Sequence, residues 1–150
     1  MSIAIRRAMP ADLPRALEIW RAAVDATHLF LTRRDRLAID RIVARDHLPH
    51  VDLWLAADEA GRVQGFLGMG DGAIESLFVD PAVHGRGFGS ALVAHALVLA
   101  PGARVDANEQ ARQAVAFYER RGFVRTGRSP RDPAGRPYPV IHFRHPGGGL

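Results

Sequence analysis

Residues 77–92 read Leu77-Phe-Val-Asp-Pro-Ala-Val-His84-Gly-Arg-Gly-Phe-Gly-Ser90-Ala-Leu92, and this stretch decides the fold. An apolar strand leads through a proline break into a loop with glycine at alternate positions, and an amphipathic helix follows. Glycine lacks a Cβ, so the loop backbone can approach a ligand closely. The helix N-terminus adds unpaired amide N–H groups and the positive end of the helix dipole. The stretch therefore predicts a phosphate-binding loop, with Arg86 as a mobile charge beside it.

Two nucleotide-binding motifs do not fit this loop. The dinucleotide fingerprint requires a glycine where Ser90 stands, and the P-loop requires a lysine, which is absent from the sequence. A glycine-rich turn between a strand and a helix also occurs without any ligand. The loop by itself therefore leaves two interpretations open, an ordinary turn or an anion site of another kind.

Two motifs together carry a resemblance to a known family. The loop from His84 to Gly89 resembles the acetyl-CoA pyrophosphate loop of the GNAT N-acetyltransferase superfamily. Residues 108–123 resemble the second hallmark of that family, an Asn followed by Ala, Phe-Tyr and Gly-Phe. The motifs occur in the family's order, and the resemblance covers nearly the whole chain, most closely to small single-domain bacterial members. One position departs from the pattern, because His84 stands where Arg or Gln is usual.

The resemblance implies that acetyl-CoA is the co-substrate and that its pantetheine arm lies between the fourth and fifth strands, which splay apart. The residues implied to contact it are Leu77, Phe78, Val79, His84, Gly85, Arg86, Gly87, Phe88, Gly89, Ser90, Asn108, Phe117 and Tyr118. Leu77 and Val79 are also expected to be core residues of their strand. Asn108 is equally expected to cap a helix at 109–121.

Tyr118 and Glu75 are the candidate catalytic residues. Tyr118 falls on the Phe-Tyr pair where the family often has a general acid for the leaving thiolate, although its ring can simply pack. Glu75 is the candidate general base, since alternation along an extended strand puts it on the same face as Leu77 and Val79. A solvent-facing glutamate is the competing interpretation. His28 is a second candidate base, and water is a third.

The sequence says less about the acceptor site than about any other part of the protein. The family's acceptor pocket is bordered by the first two helices and the last two strands, which makes His28, Phe30 and Tyr138 the candidate substrate-binding residues. Ordinary helix or hairpin packing is the alternative for each. The histidine pairs His47/His50 and His142/His145 lack helical spacing and a third ligand, so no metal site is expected.

Composition excludes several classes of protein. A length of 150 residues fits one domain over residues 1–150, and no apolar run is long enough to span a membrane. The absence of cysteine excludes disulfides, thiolate metal sites and a cysteine nucleophile. Because the N-terminal segment has no apolar signal core, a cytoplasmic protein is expected.

The net charge of +4 is concentrated in the C-terminal third, where residues 101–150 carry 9 Arg against 4 acidic residues. This basic segment permits an interaction protein that binds polyanions as a rival function. No interleaved aromatic surface accompanies the arginines, so nucleic-acid binding is not expected. A polyanionic cofactor such as CoA accounts for part of the charge.

The periodicity of the chain predicts an α+β fold. Strands are expected at 3–7, 51–57, 63–69, 73–79, 103–107, 123–128 and 138–144. Helices are expected with an apolar stripe from Leu13 to Leu29, after Thr32 with Leu37, Ile39, Ile42, Val43 and Leu48 buried, and at 89–99 and 109–121. The order β-α-α-β-β-β-α-β-α-β-β predicts a mixed, mostly antiparallel sheet with helices on both faces, which is also the order of the GNAT fold.

The function that follows is an acetyl-CoA-dependent N-acetyltransferase acting on a primary amine. Without a cysteine to carry the acyl group, transfer is expected to be direct, in a ternary complex. A non-catalytic acetyl-CoA or CoA sensor is the alternative. Small amines, peptide N-termini and protein lysines all fit as acceptors. A homodimer is common in the family, but no surface stripe requires one, so the oligomeric state stays open.

Overall fold

Seven strands form one mixed sheet in the computed structural model, which describes residues 2–147. The strands are β1 (Ala4–Arg7), β2 (Asp52–Ala57), β3 (Val63–Gly70), β4 (Ala73–Val79), β5 (Arg104–Asn108), β6 (Val124–Ser129) and β7 (Val140–Arg144). They lie side by side in the order β1-β2-β3-β4-β5-β7-β6, and every neighbouring pair is antiparallel except β4 and β5. The predicted order of elements and the mixed, mostly antiparallel sheet are confirmed.

Four helices connect the strands: α1 (Leu13–Thr27), α2 (Arg33–Ile42), α3 (Phe88–Leu99) and α4 (Arg112–Arg120). Thr32 caps α2, since its hydroxyl accepts a hydrogen bond from the Asp35 amide at 3.1 Å. Gly87 precedes α3 with a φ of 93°, a conformation that a Cβ would resist. Within residues 2–147, no helix is both long enough and apolar enough to cross a membrane.

The helices cover the two faces of the sheet and define two cores. On one face, α3 and α4 pack against strand residues that include Leu67, Val105 and Ile141. On the other face, α1 and the segment after α2 pack against residues that include Leu55 and Phe66. The buried strand residues therefore belong to one core or the other according to the face on which they project.

The sheet opens between β4 and β5. These parallel strands pair at Ala73 with Arg104 and at Ile74 with Val105, and the pairing then stops within the described strands. From Ser76 to Val79, β4 is paired on one edge, with β3. The predicted splay is therefore present, and it leaves one edge of β4 free to bind a ligand next to the glycine loop.

Both predicted apolar stripes include residues that are exposed in the structure. Helix α1 ends at Thr27, and Leu29 lies in the turn that follows with 81% of its surface exposed. Leu37 and Ile42 of α2 are also exposed, while Val43 and Leu48 are buried. The helical path continues past α2 as a π turn over Val43–His47, so the buried Val43 and Leu48 lie within and just after this turn, outside α2 itself.

Ion pairs fix α1 against α2. Asp40 accepts hydrogen bonds from Arg21 and from Arg36, each at 2.8 Å, and Arg36 also binds Asp25 at 2.7 Å. These two arginines hold the pKa of Asp40 down to about 2, against an ordinary value of 3.8. The network spans the turn at residues 28–32 and so holds that turn in place.

Replacement of Asp40 by Asn will lower the free energy of unfolding at neutral pH by about 1 kcal/mol, allowing for solvent screening. Because the folded-state pKa is depressed, this contribution is present above the unfolded pKa and is lost as the pH falls towards 2. Denaturant unfolding of wild type and variant at several pH values will show the difference shrinking with acid. Asp25→Asn, with a side chain 62% exposed, is the matched control and will have a smaller effect. A fully stable Asp40→Asn protein at neutral pH would contradict the role of the network.

Candidate active site

A cleft of about 1000 Å³ lies beside the free edge of β4. Three elements enclose it: the end of α1, the glycine loop with the start of α3, and one face of α4. The predicted cofactor contacts that line it are Leu77, Phe78, Val79, His84, Gly85, Gly87, Phe88, Gly89, Ser90, Phe117 and Tyr118. The gap in the sheet and the glycine loop thus open into one space.

The glycine loop presents backbone rather than side chains to this cleft. Gly85 and Gly87 have φ values of 78° and 93°, and no other group lies within 3.5 Å of where their Cβ atoms would be. The first hydrogen bond of α3 runs from the Ala91 amide to the Gly87 carbonyl at 3.0 Å. The amides of residues 88–90 therefore have no partner within the helix and are available to an anion.

Gly89 serves a different purpose from the other two glycines. A Cβ at this position would lie 3.2 Å from Cζ of Phe117, which is closer than side-chain contacts ordinarily come. Its absence lets α4 pack directly against the first turn of α3. The close packing of these two helices forms the wall of the cleft.

The charge of the cleft favours an anionic ligand. Among the described residues, its lining includes three arginines, two from α4 and one from the residue after it, and no Asp or Glu. The arginines are Arg112, Arg120 and Arg121, and the guanidinium of Arg121 lies 5.4 Å from the centre of the Phe117 ring. Sequence reasoning missed these arginines, together with Gln110 and Gln113. Their spacing was the available signal, because Gln113 and Arg121 are each four residues from Phe117 and share its helical face.

Tyr118 lies at the inner wall of the cleft and is 6% exposed. Its ring packs edge-on against Phe117 and Phe123, with ring centres 5.3 and 5.4 Å away. Burial raises the pKa of its hydroxyl above the ordinary value of 10, so the group is protonated at neutral pH. Core packing and contact with the cleft are therefore compatible in this residue.

Arg86 and Asn108 are the two predicted cofactor contacts that are not part of the cleft lining. Asn108 is the last residue of β5, and its carbonyl accepts a hydrogen bond from the Ala111 amide at 2.9 Å. Helix α4 begins at Arg112 with Ala111 at its N-cap. The alternative interpretation of Asn108 as a helix cap is therefore wrong, because α4 begins three residues later than expected.

Glu75 lies on a different face from the one expected. Gly68 pairs with Ser76 but Met69 pairs with Ile74, so Glu75 is the extra residue of a β-bulge. Leu77 and Val79 pack against the core under α3 and α4. The Glu75 carboxylate instead lies over Gly70. It is close enough to His47, which follows α2, for its charge to act on the pKa of that imidazole. The shared face predicted from simple alternation is wrong, because the bulge shifts the alternation by one residue.

Aromatic side chains continue from the cleft towards α2. The ring of His28, which lines the cleft, is 6.4 Å from that of Phe78 and 5.2 Å from that of Phe30. Phe30 in turn lies 5.8 Å from Tyr138. The Tyr138 hydroxyl donates to the Asp35 carboxylate and accepts from the Thr32 amide. The three candidate substrate-binding residues are thus neighbours in one aromatic wall.

Two of the other histidines, His142 and His47, bond to protein side chains. His142 lies between Asp106 and Ser129, at 2.7 Å from each, and His47 bonds Ser76 at 2.7 Å. Over the part of the chain that is described, no group of three or more His, Asp or Glu side chains is placed to hold a metal ion.

Comparison with protein families finds one matching model, an acetyltransferase (GNAT) domain, over residues 49–125. Among curated proteins, the chain is 42% identical over 146 residues to peptidyl-lysine N-acetyltransferase YjaB of Salmonella typhimurium. That alignment covers 97% of this chain and 100% of the relative.

Two solved structures are similar in fold. The solution structure of apo-form YjaB from Escherichia coli superimposes with a TM-score of 0.92 at 40% identity, covering 99% of this chain and 100% of that one. The PaiA N-acetyltransferase of Thermoplasma acidophilum, solved in complex with coenzyme A, gives a TM-score of 0.76 at 17% identity. The superposition covers 95% of this chain and 98% of the PaiA chain.

The aromatic wall has a measurable consequence for His28. Burial lowers the pKa of its imidazole below the ordinary 6.5. Replacement of Phe30 by Ala removes a neighbouring ring and admits water, so the pKa of His28 will rise towards the ordinary value. An NMR titration of the imidazole signals measures this directly. Leu29→Ala, which alters an exposed side chain in the same turn, is the control, and equal titration curves for the two variants would contradict the proposed wall.

Proposed function

We propose that this chain, which belongs to the GNAT acetyltransferase family, transfers an acetyl group from acetyl-CoA to the side-chain amine of lysine in a peptide or protein. The observation that carries the proposal is the junction of the β4–β5 gap with an acid-free glycine-loop cleft. The lysine acceptor is inferred from the full-length similarity to a peptidyl-lysine N-acetyltransferase.

The residues of the cleft fit acetyl-CoA. The free amides at residues 88–90 and the arginines at 112, 120 and 121 suit its phosphate groups, and the lining contributed by residues 2–147 has no acidic side chain to repel them. The free edge of β4 from Glu75 to Val79 offers backbone groups to the amides of a pantetheine arm, as an added strand would. The coenzyme A bound by the Thermoplasma relative supports the same ligand class.

Acetyl-CoA, when bound, supplies an activated thioester. The Tyr118 hydroxyl, held protonated by its burial, is the group that would donate a proton to the leaving thiolate. Glu75 or His28, or a water held by one of them, would accept the proton that the acceptor ammonium must lose before it attacks. The chain has no cysteine to carry the acetyl group, so transfer would proceed directly to the amine.

Lysine suits the aromatic wall on the acceptor side. Its four-carbon stem is apolar and its head is a compact cation, so it packs on rings and ends against a carboxylate. The rings of Phe78, His28 and Phe30 lie in sequence between the cleft and the turn after α1. Glu75 is on β4, as Phe78 is, and its carboxylate lies on the side of that strand towards α2.

Replacement of Gly87 by Glu will abolish acetyl-CoA and CoA binding. The new carboxylate would stand at the N-terminus of α3, where the phosphates are expected to bind. Isothermal titration calorimetry of wild type and variant measures the affinity for both ligands, which should fall by more than about tenfold.

Two controls separate charge from backbone strain. Gly61→Glu adds the same side chain at a φ of 81° in a remote turn and should leave binding intact. Gly87→Asn keeps the site neutral with a residue that tolerates positive φ, so it should retain most of the affinity. Wild-type protein that binds neither acetyl-CoA nor CoA would defeat the proposed function.

Replacement of Tyr118 by Phe will lower kcat for acetyl transfer to a lysine-containing peptide by about 100-fold or more, with the KM for acetyl-CoA nearly unchanged. The ring packing against Phe117 and Phe123 is kept, so the substitution tests the hydroxyl alone. Mass spectrometry of the peptide is the measurement. The enzyme contains no lysine, so self-acetylation of side chains cannot contribute to the signal.

The same assay tests the acceptor. The peptide with Lys replaced by Arg is the matched control and should not be acetylated at that position. A wild-type enzyme that binds acetyl-CoA but modifies no lysine would overturn the acceptor and favour a sensor of acetyl-CoA. Full kcat in Tyr118→Phe would remove this residue from the mechanism.

A further inference from the structure

Two backbone irregularities face each other on the acceptor side of the sheet. The π turn over Val43–His47 closes with a bond from the Leu48 amide to the Val43 carbonyl at 2.9 Å. Across from it, the β-bulge of β4 contains Glu75. A hydrogen bond of 2.7 Å between His47 Nε2 and Ser76 Oγ joins the two. Both kinds of irregularity are frequent near functional sites, where they re-aim a side chain.

The neighbouring strand leaves space for this cluster, which consists of His47, Glu75 and Ser76. A Cβ on Gly68 of β3 would lie 2.5 Å from Ser76 Oγ, and a Cβ on Gly70 would lie 2.5 Å from Glu75 Oε1. Any side chain at either position would displace one member of the cluster. The two glycines therefore form a cradle that depends on their having no side chains.

The cluster occupies the closed end of the gap. Ile74 is the last residue of β4 that pairs with β5, so Glu75 and Ser76 are the first residues beyond the pairing. Phe78 follows two residues later and packs with the core on the α1 side, next to His28. A lysine lying along the aromatic wall would therefore meet this cluster.

Burial and charge act on His47 in opposite directions. Burial lowers the pKa of its imidazole below 6.5, and the negative charge of Glu75 partly offsets that fall. The other charged residues nearby in sequence, Arg45 and Asp46, belong to its own turn. From β4 it is faced by Glu75 and Ser76, whereas the cradle of β3 contributes glycines and no charge.

We propose that His47 is a positioning residue that controls the availability of Glu75. The inference rests on the proposed function and deepens it. As a neutral imidazole, His47 holds Ser76 and the bulge, and the Glu75 carboxylate is free to take one proton from the acceptor ammonium. This leaves a neutral amine and a carboxylic acid, which releases its proton to water. As an imidazolium, His47 pairs with Glu75 and withdraws it.

The pH dependence of kcat/KM for the peptide tests this role. His47→Gln keeps an amide at the position of Nε2 but does not titrate. The acceptor amine titrates in every variant, so the ratio of variant to wild type isolates His47. That ratio should rise about threefold or more between about pH 8 and about pH 5.5, as the wild type acquires its imidazolium. A constant ratio would overturn the proposal.

Matched variants distinguish positioning from a loss of structure. His50→Gln, three residues along the same segment, should reproduce the wild-type profile. Ser76→Ala frees the imidazole from its anchor and should lower kcat several-fold. Acetyl-CoA affinity should be unchanged, because the substitution keeps the backbone of β4 and Ser76 is not part of the cleft lining. A wild-type kcat in Ser76→Ala would contradict the anchoring.

A titration by NMR gives a readout that needs no turnover. The pKa of His47 should fall further in Glu75→Gln, because the attraction of the carboxylate is removed. An unchanged pKa would overturn the pairing of His47 with Glu75. Absence of acetyl transfer by the wild type would defeat the proposed function instead, and the titration would still decide whether the pair exists.

Discussion

The partial pairing of β4 with β5 is the constraint on which the rest of the structure depends. Two residue pairs join the strands, and from Glu75 onwards one edge of β4 has no partner strand. An unpaired strand edge in the middle of a sheet is costly unless something binds to it. The glycine loop and the aromatic wall both begin at this edge, so binding at this point would satisfy the backbone groups that the fold leaves free.

The two sides of the gap differ in their electrostatics. On the cleft side, the described lining combines a helix N-terminus with three arginines and has no carboxylate. On the α2 side lie the carboxylate of Glu75, near His47, and that of Asp35, which accepts from Tyr138 and lies 3.6 Å from Arg136. Under the proposed function, an anionic donor and a cationic acceptor would therefore each be favoured on a different side. This separation would let the donor and the acceptor bind side by side, each next to protein groups of opposite charge.

Small residues make this arrangement possible at three points. Gly89 lets α4 approach α3, while Gly68 and Gly70 make room for Ser76 and Glu75. In each case, a Cβ would be closer to a functional side chain than ordinary packing permits. The glycines of this chain are thus used for close approach as well as for turns with positive φ.

The sequence by itself determined the order of the elements, the glycine loop and the Phe-Tyr pair, because these depend on local periodicity and turn chemistry. Only the tertiary structure decided the face of Glu75, since a one-residue bulge reverses every side chain relative to simple alternation. Likewise, the role of Gly68 and the partnership of His47 with Ser76 join segments far apart in sequence. No local pattern encodes such contacts, because they form when the strands pair and the helices pack against them.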